Sequence, residues 1–291
     1  MTSSHDILTS PRVIELRRKK RRTKISRIVL AVVFFMVLII GLSYLSQYRK
    51  ITISQIEVAG NHIISQDEIK KVVDQDLSGK YLHLFARNNF LIYPKKIIHR
   101  DLIASFPRLD KLTISLENLK TIKINLSEHS GAFLWCGDKI PENQEQIGEN
   151  CFFVNNDGYI FDKAPYFSGN LYFKFYLPVD SSSSSALGKQ MMPKDDFIAL
   201  VKFIDAVNVL DLKPVSFVLN SDGTKEIYLA HSEGATVPKI IFNKKNDLEK
   251  IANNLSLAIK KPEFADEIKN KYNTLLYIDL RFDNKVLYKF E

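Results

Sequence analysis

From Ile28 to Tyr48 the chain reads IVLAVVFFMVLIIGLSYLSQY, apolar on every face and without a charge. At about 1.5 Å rise per residue, a helix of this length spans roughly 30 Å, the thickness of a bilayer core. The pattern then changes. Ile51 and Ile53, and after a slip Ile56 and Val58, alternate as in a half-buried strand, and Gly60-Asn61 turns the chain. Ser65 followed by Glu68 has the spacing of a capping box and predicts a short helix through Val73, with Ile64, Ile69, Val72 and Val73 as its apolar marks. Gly79 ends that connection. Pro94 suits a first helical position; Ile97, Ile98, Leu102, Ile103 and Phe106 mark one face, and Pro107 stops the helix. Leu112, Ile114 and Leu116, then Ile122, Ile124 and Leu126, alternate with polar residues on either side of 117–120, predicting an antiparallel hairpin. The order β-α-α-β-β makes a small α+β unit with helices on one sheet face.

The second half is richer in strands. AFLW (132–135), CFFV (151–154), YIF (159–161) after the turn NNDG, and LYFKFYL (171–177) carry the first of them. SFVLN (216–220), EIYLA (226–230), KIIF, YIDLRF and KVLYKF carry the rest. Two helical faces interrupt them, Phe197, Leu200, Val201, Ile204 and Val207, then Leu248, Ile251, Leu255 and Ile259. This predicts a mixed sheet with two flanking helices. The serine run 181–185 reads as a flexible loop.

Charge sets the orientation. Residues 1–27 hold nine Lys/Arg against Asp6 and Glu15, a net +7, while the whole chain is +8. Only Arg49 and Lys50 closely follow the apolar run. A basic flank stays in the cytoplasm, so the chain is expected to cross once, N-terminus inside, and to export about 240 residues. The long run without an A-x-A site favours an uncleaved anchor over a cleaved signal peptide. Residues 1–24 are expected to be without order. Beside a membrane helix, the basic block is explained by orientation and contact with anionic lipid rather than by nucleic acid. The nearly neutral remainder carries no footprint for DNA or RNA.

The anchor, then IEVAGNHIISQDEI (56–69), a helix closing in Phe106-Pro107, a strand ending NLSEH (125–129) and the closing YIDLRFDNKVLYKF (277–290) resemble the FtsQ/DivIB cell-division family. The resemblance covers most of residues 28–290. One position departs from it: the family's usual Arg after the strand-end Glu is here His129. The resemblance implies a cytoplasmic tail (1–27), a transmembrane helix (28–48), a POTRA domain (51–129) and a β domain (130–291). It implies a divisome scaffold at the septum that binds small bitopic FtsB/DivIC-type and FtsL-type proteins. In that family the last strand is an exposed edge that pairs with a partner strand. The matching positions are Phe282, Asn284 and Phe290, and the two-residue period puts Val286 and Tyr288 on the same face as Asn284 and Phe290. The bland alternative for the two phenylalanines is core packing.

Cys136 and Cys151 both follow the anchor, beside segments that could be adjacent strands. In an oxidising compartment a structural disulfide is the expected state, with two buried thiols as the alternative. The six histidines show no metal-ligand spacing, and neither a Walker A nor a GxSxG pattern occurs. Asp67, Glu68, Asp74 and Asp76 read as the solvated face of a helix. No metal, cofactor or small-molecule substrate is expected. The competing class is a membrane-anchored cell-envelope enzyme, a wall hydrolase or peptidase with a scattered site. An outer-membrane assembly factor would need a barrel, and the chain has no long set of membrane strands.

Overall fold

The structure, a computed structural model, describes residues 11–141, 150–179, 185–232, 235–243, 247–282 and 284–291. Residues 1–10 and the serines at 181–184 lie outside them. The chain is α+β, with one N-terminal apolar helix and a large mixed sheet. It divides into two units, one formed by Met1–Phe106 and Lys111–Ser127, the other by Pro107–Asp110 and Glu128–Glu291.

In the first unit helix α1 runs from Pro11 to Ser46 and contains a stretch, Arg18–Ser46, long and apolar enough to cross a membrane. Residues 11–24, expected to lack order, are thus helical. Arg and Lys are good helix formers, and extending an existing helix needs no new nucleus. The helix ends two residues before the apolar run does.

Strand β1 (Gln55–Ala59) follows, then α2 (Gln66–Leu77), a small hairpin of β2 (Lys80–Tyr81) and β3 (Phe85–Ala86), α3 (Lys95–Ser105), β4 (Leu109–Leu116) and β5 (Thr121–Glu128). β1 pairs in parallel with the central β5, giving the order β1-β5-β4. α2 runs a turn longer than its apolar marks suggest and buries Ile69, Val73 and Leu77. Ser65 caps it, but its side chain accepts from the Asp67 amide, one residue earlier than a capping box has it. Ile98, Leu102, Ile114, Ile122 and Ile124 are also buried, as their patterns predict, whereas Ile103, expected on the same helical face, is 45% exposed.

Gly60 closes β1 with φ +88°, and a Cβ there would stand 2.1 Å from the Leu126 carbonyl oxygen. Backbone on the neighbouring strand cannot move aside cheaply. Gly60→Ala is therefore expected to destabilise the first unit by at least about 2 kcal/mol, combining left-handed strain with the clash. Denaturant unfolding of this unit would measure it.

The second unit is built on a nine-stranded sheet. Its strands are β6 (Phe133–Trp135), β7 (Phe152–Val154), β8 (Ile160–Lys163), β9 (Lys174–Tyr176), β10 (Pro214–Leu219), β11 (Thr224–Leu229), β12 (Lys239–Asn243), β13 (Leu275–Asp279) and β14 (Leu287–Phe290). The order is β14-β13-β12-β11-β10-β9-β6-β7-β8. Among the described residues three α-helices accompany it, α4 (Lys194–Val209), α5 (Leu248–Ile259) and α6 (Pro262–Lys271). The sequence pattern predicts only the first two. The larger core joins Phe175, Phe217, Ile227, Ile240 and Phe242 to Phe197, Leu200, Phe203 and Leu255 of the helices. One residue along each strand, Tyr176 and Val218 belong to a second cluster with Leu134, Cys136 and Cys151, as the two-residue period requires. Cys136 and Cys151 form a disulfide, and both are buried.

Candidate functional site: an open sheet edge

Among the described residues β14 is the terminal strand of the large sheet and pairs only with β13. Two contacts fix its path. At the end of β13, Arg281 folds back on Asp279, with Nε 3.0 Å from Oδ1 and Nη2 2.7 Å from Oδ2, while the Arg281 amide also donates to Oδ1 at 3.0 Å. Burial acts to raise the Asp279 carboxyl, but the Arg281 bonds outweigh it and hold it below the usual carboxylate range. This fork explains the Asp and Arg of YIDLRF. Asn284, at φ +62°, then turns the chain back. Asn is among the residues that tolerate this left-handed region best.

The open side of β14 follows from its hydrogen bonds. The Glu291 amide donates to Thr274 O at 2.9 Å, so it points toward β13. By alternation Lys289 and Leu287 also turn their backbone groups inward, and Phe290 and Tyr288 turn theirs to the open edge. The irregularity in this pairing lies between Leu275 and Tyr277, on the β13 side, and leaves the alternation of β14 intact.

The two side-chain faces differ. Tyr288 stacks on Phe264 of α6 at 4.3 Å between centroids, and its hydroxyl lies 2.9 Å from Glu267 Oε2. Phe290 meets Tyr288 edge-on at 5.7 Å, with Lys271 of α6 over its ring. Val286 and Phe290 are partly buried against the larger core. The face carrying Val286, Tyr288 and Phe290 is thus the one α6 partly covers. Phe282 is 51% exposed and Asn284 is exposed. On the opposite face Leu287 is 45% exposed beside Lys289. Reasoning from the sequence missed Leu287 as an outward apolar group, because alternation says which residues share a face and not which face is covered.

The far edge of the same sheet holds a polar cluster. Arg108 pairs with Asp162 of β8 and lies 3.9 Å from Glu128. His129 has Nδ1 3.2 Å from Asn155 Nδ2 and 3.6 Å from Asp110. Burial holds its imidazole below the ordinary value of 6.5, against the smaller opposing pull of Asp110 and Asp157. A neutral ring can accept from Asn155; a protonated one cannot. The unfolded chain binds this proton more readily than the folded one. The contribution to stability is therefore complete above the ordinary histidine pKa and is lost as pH falls through it. Unfolding followed between pH 7.5 and pH 5.5 should show this loss, and His129→Asn should flatten the profile over that interval (about one unit either side of a free histidine).

Two other places bear on enzymatic chemistry. A cleft of about 840 Å³ between α4 and α5 is lined by Asp195, Asp196, Lys202, Lys225, Asp247 and Glu249, with no Ser, Thr, Cys or His among its lining residues. In the first unit the Asp76 carboxyl is raised, chiefly by burial and then by the neighbouring Asp101. Asp101 is itself 2.7 Å from the exposed guanidinium of Arg100. Among the described residues no group of three His, Cys, Asp or Glu stands close enough to hold a metal ion.

No family model matches this chain, and no curated protein matches it. What the fold itself defines is a class: a two-unit α+β chain with one apolar helix and a large sheet whose terminal strand is, among the described residues, paired on one side only.

Proposed function

We propose that this protein is a non-enzymatic bitopic scaffold of the bacterial cell-division machinery. It is anchored by α1 with the N-terminus in the cytoplasm and its folded units outside, and it is recruited to the septum. The order β1-α2-α3-β4-β5, with the small β2–β3 hairpin between the helices and the β1-β5-β4 sheet, supports reading the first unit as a POTRA domain. The observation that carries the reading is the open edge of β14, whose outward backbone groups at Tyr288 and Phe290 suit β-augmentation by a partner strand. The partners are small single-span proteins of the FtsB/DivIC and FtsL types.

A photo-crosslinking side chain at Leu287 of the full chain in its native membrane tests this. The expected adduct is a small single-span membrane protein, and the same probe at Lys163, on the opposite sheet edge, should not give it. Absence of an adduct at Leu287, together with glycan or peptide turnover by the purified chain, would support the enzyme class instead.

A further inference from the structure

The segment 79–93, GKYLHLFARNNFLIY, joins α2 to α3 and is fastened to the end of α1. Ser43 Oγ donates to Leu84 O at 2.6 Å, Asn89 Nδ2 to Ser46 O at 2.9 Å, and Lys80 Nζ to Gln47 Oε1 at 2.7 Å. The Ala86 amide donates to Ser46 Oγ at 3.3 Å. The chain leaving α1 clasps the same segment, since the Ile53 amide donates to Asn88 O at 2.7 Å and the Phe90 amide to Ile51 O at 3.2 Å. The hairpin is thus held level with the last turn of α1, within about 6 Å of the end of the apolar stretch by helical rise.

Its surface is unusual for a segment facing water. Leu82 is 85% exposed and Leu91 73%, with Leu84 and Ile92 also exposed. Leu82 and His83 both take positive φ, at 49° and 62°, a turn that ordinarily calls for Gly or Asn. The strained turn presents a leucine at its tip. Tyr44 and Tyr48 are exposed beside it. From Leu77 to Arg100 there is no acidic residue, while Lys80, Arg87, Lys95, Lys96 and Arg100 are basic, and Arg49 and Lys50 adjoin. Apolar tips, tyrosines and cations at the end of an apolar helix are the composition of a bilayer interface.

We infer that this segment is a membrane foot. Leu82, Leu84 and Leu91 enter the headgroup–acyl boundary of the leaflet in which α1 ends, and Lys80 and Lys95 engage anionic lipid headgroups. Three anchoring points besides α1 would fix the tilt of the first unit on the membrane. The inference rests on α1 being a membrane span.

The test uses the full chain in nanodiscs of equal parts phosphatidylethanolamine and phosphatidylglycerol. Cysteines replace Leu82, Leu91, Met36 and Ile63 one at a time, carry nitroxide labels, and are compared for collision with oxygen and with a water-soluble nickel chelate. Met36 lies in mid-span, and Ile63 is exposed beyond the opposite end of β1. Labels at Leu82 and Leu91 should favour oxygen, as Met36 does, and Ile63 should favour the chelate. In phosphatidylcholine discs the labels at 82 and 91 should shift toward the chelate. If Met36 favours oxygen while Leu82 and Leu91 match Ile63, the foot is overturned and the span stands. If Met36 also favours the chelate, the span itself fails. Two labelled leucines guard against one substitution disturbing the hairpin.

Discussion

Tyr288→Pro is expected to weaken partner binding by about 10- to 100-fold while leaving the sheet folded. The outward Tyr288 amide is lost, and a partner carbonyl is left without its donor, at about 1–3 kcal/mol. Tyr288 also packs on Phe264 and bonds Glu267, so Tyr288→Ala is the reference for the lost side chain. Leu287→Pro behaves differently. Its amide faces β13, so binding and melting temperature should fall together. Titration of the full chain in detergent with the crosslinked partner, alongside thermal melts, separates the cases. Equal affinity for Tyr288→Pro and Tyr288→Ala, with both folded, would remove the edge from the proposal. Phe290→Ala reports mainly on stability, since that ring rests partly on the core.

The second large effect concerns the disulfide. Replacing Cys136 and Cys151 by alanine releases a loop with a sequence separation of 15 and should cost about 3 kcal/mol of stability. Urea unfolding would read this as a lower midpoint at constant slope. Binding at β14 should survive, because five strands lie between β14 and β6, the strand that leads into Cys136. A loss of binding without a loss of stability would instead place the bridge in the partner site.

Much of this architecture is legible in single-strand and single-helix patterns. The alternation of Leu112, Ile114 and Leu116 against Ile122, Ile124 and Leu126 appears as β4 and β5, and the apolar marks of α4 and α5 fall where the helices bury them. Other elements leave a weaker trace. The hairpin of β2 and β3 turns on Leu82 and His83, and nothing in those residue types announces a left-handed turn. Helix α6 is short and mostly polar, marked only by Pro262 at its start and by Phe264 and Ile268 four apart. The run 171–177 alternates throughout, yet only Lys174–Tyr176 finds neighbours on both sides. The candidate edge divides in the same way. Which residues share a face of β14 follows from the period of a strand. That β14 ends the sheet, and that α6 shields Tyr288, depend on strand order and on a helix the pattern does not reveal.

The lysines on this edge also bear on whether it would pair with a second copy of itself. A bare strand end is as good a template for a second copy of itself as for another protein. Antiparallel self-pairing about β14 would bring Lys285 and Lys289 of each copy toward those of the other. A heterologous strand carrying carboxylates gains where a twin loses. The selection is electrostatic, and it weakens as ionic strength shortens the range of charge. A chain of this kind is expected to self-associate more at high salt than at low salt, refusing its own copy by charge rather than by shape, which sedimentation at two ionic strengths would measure.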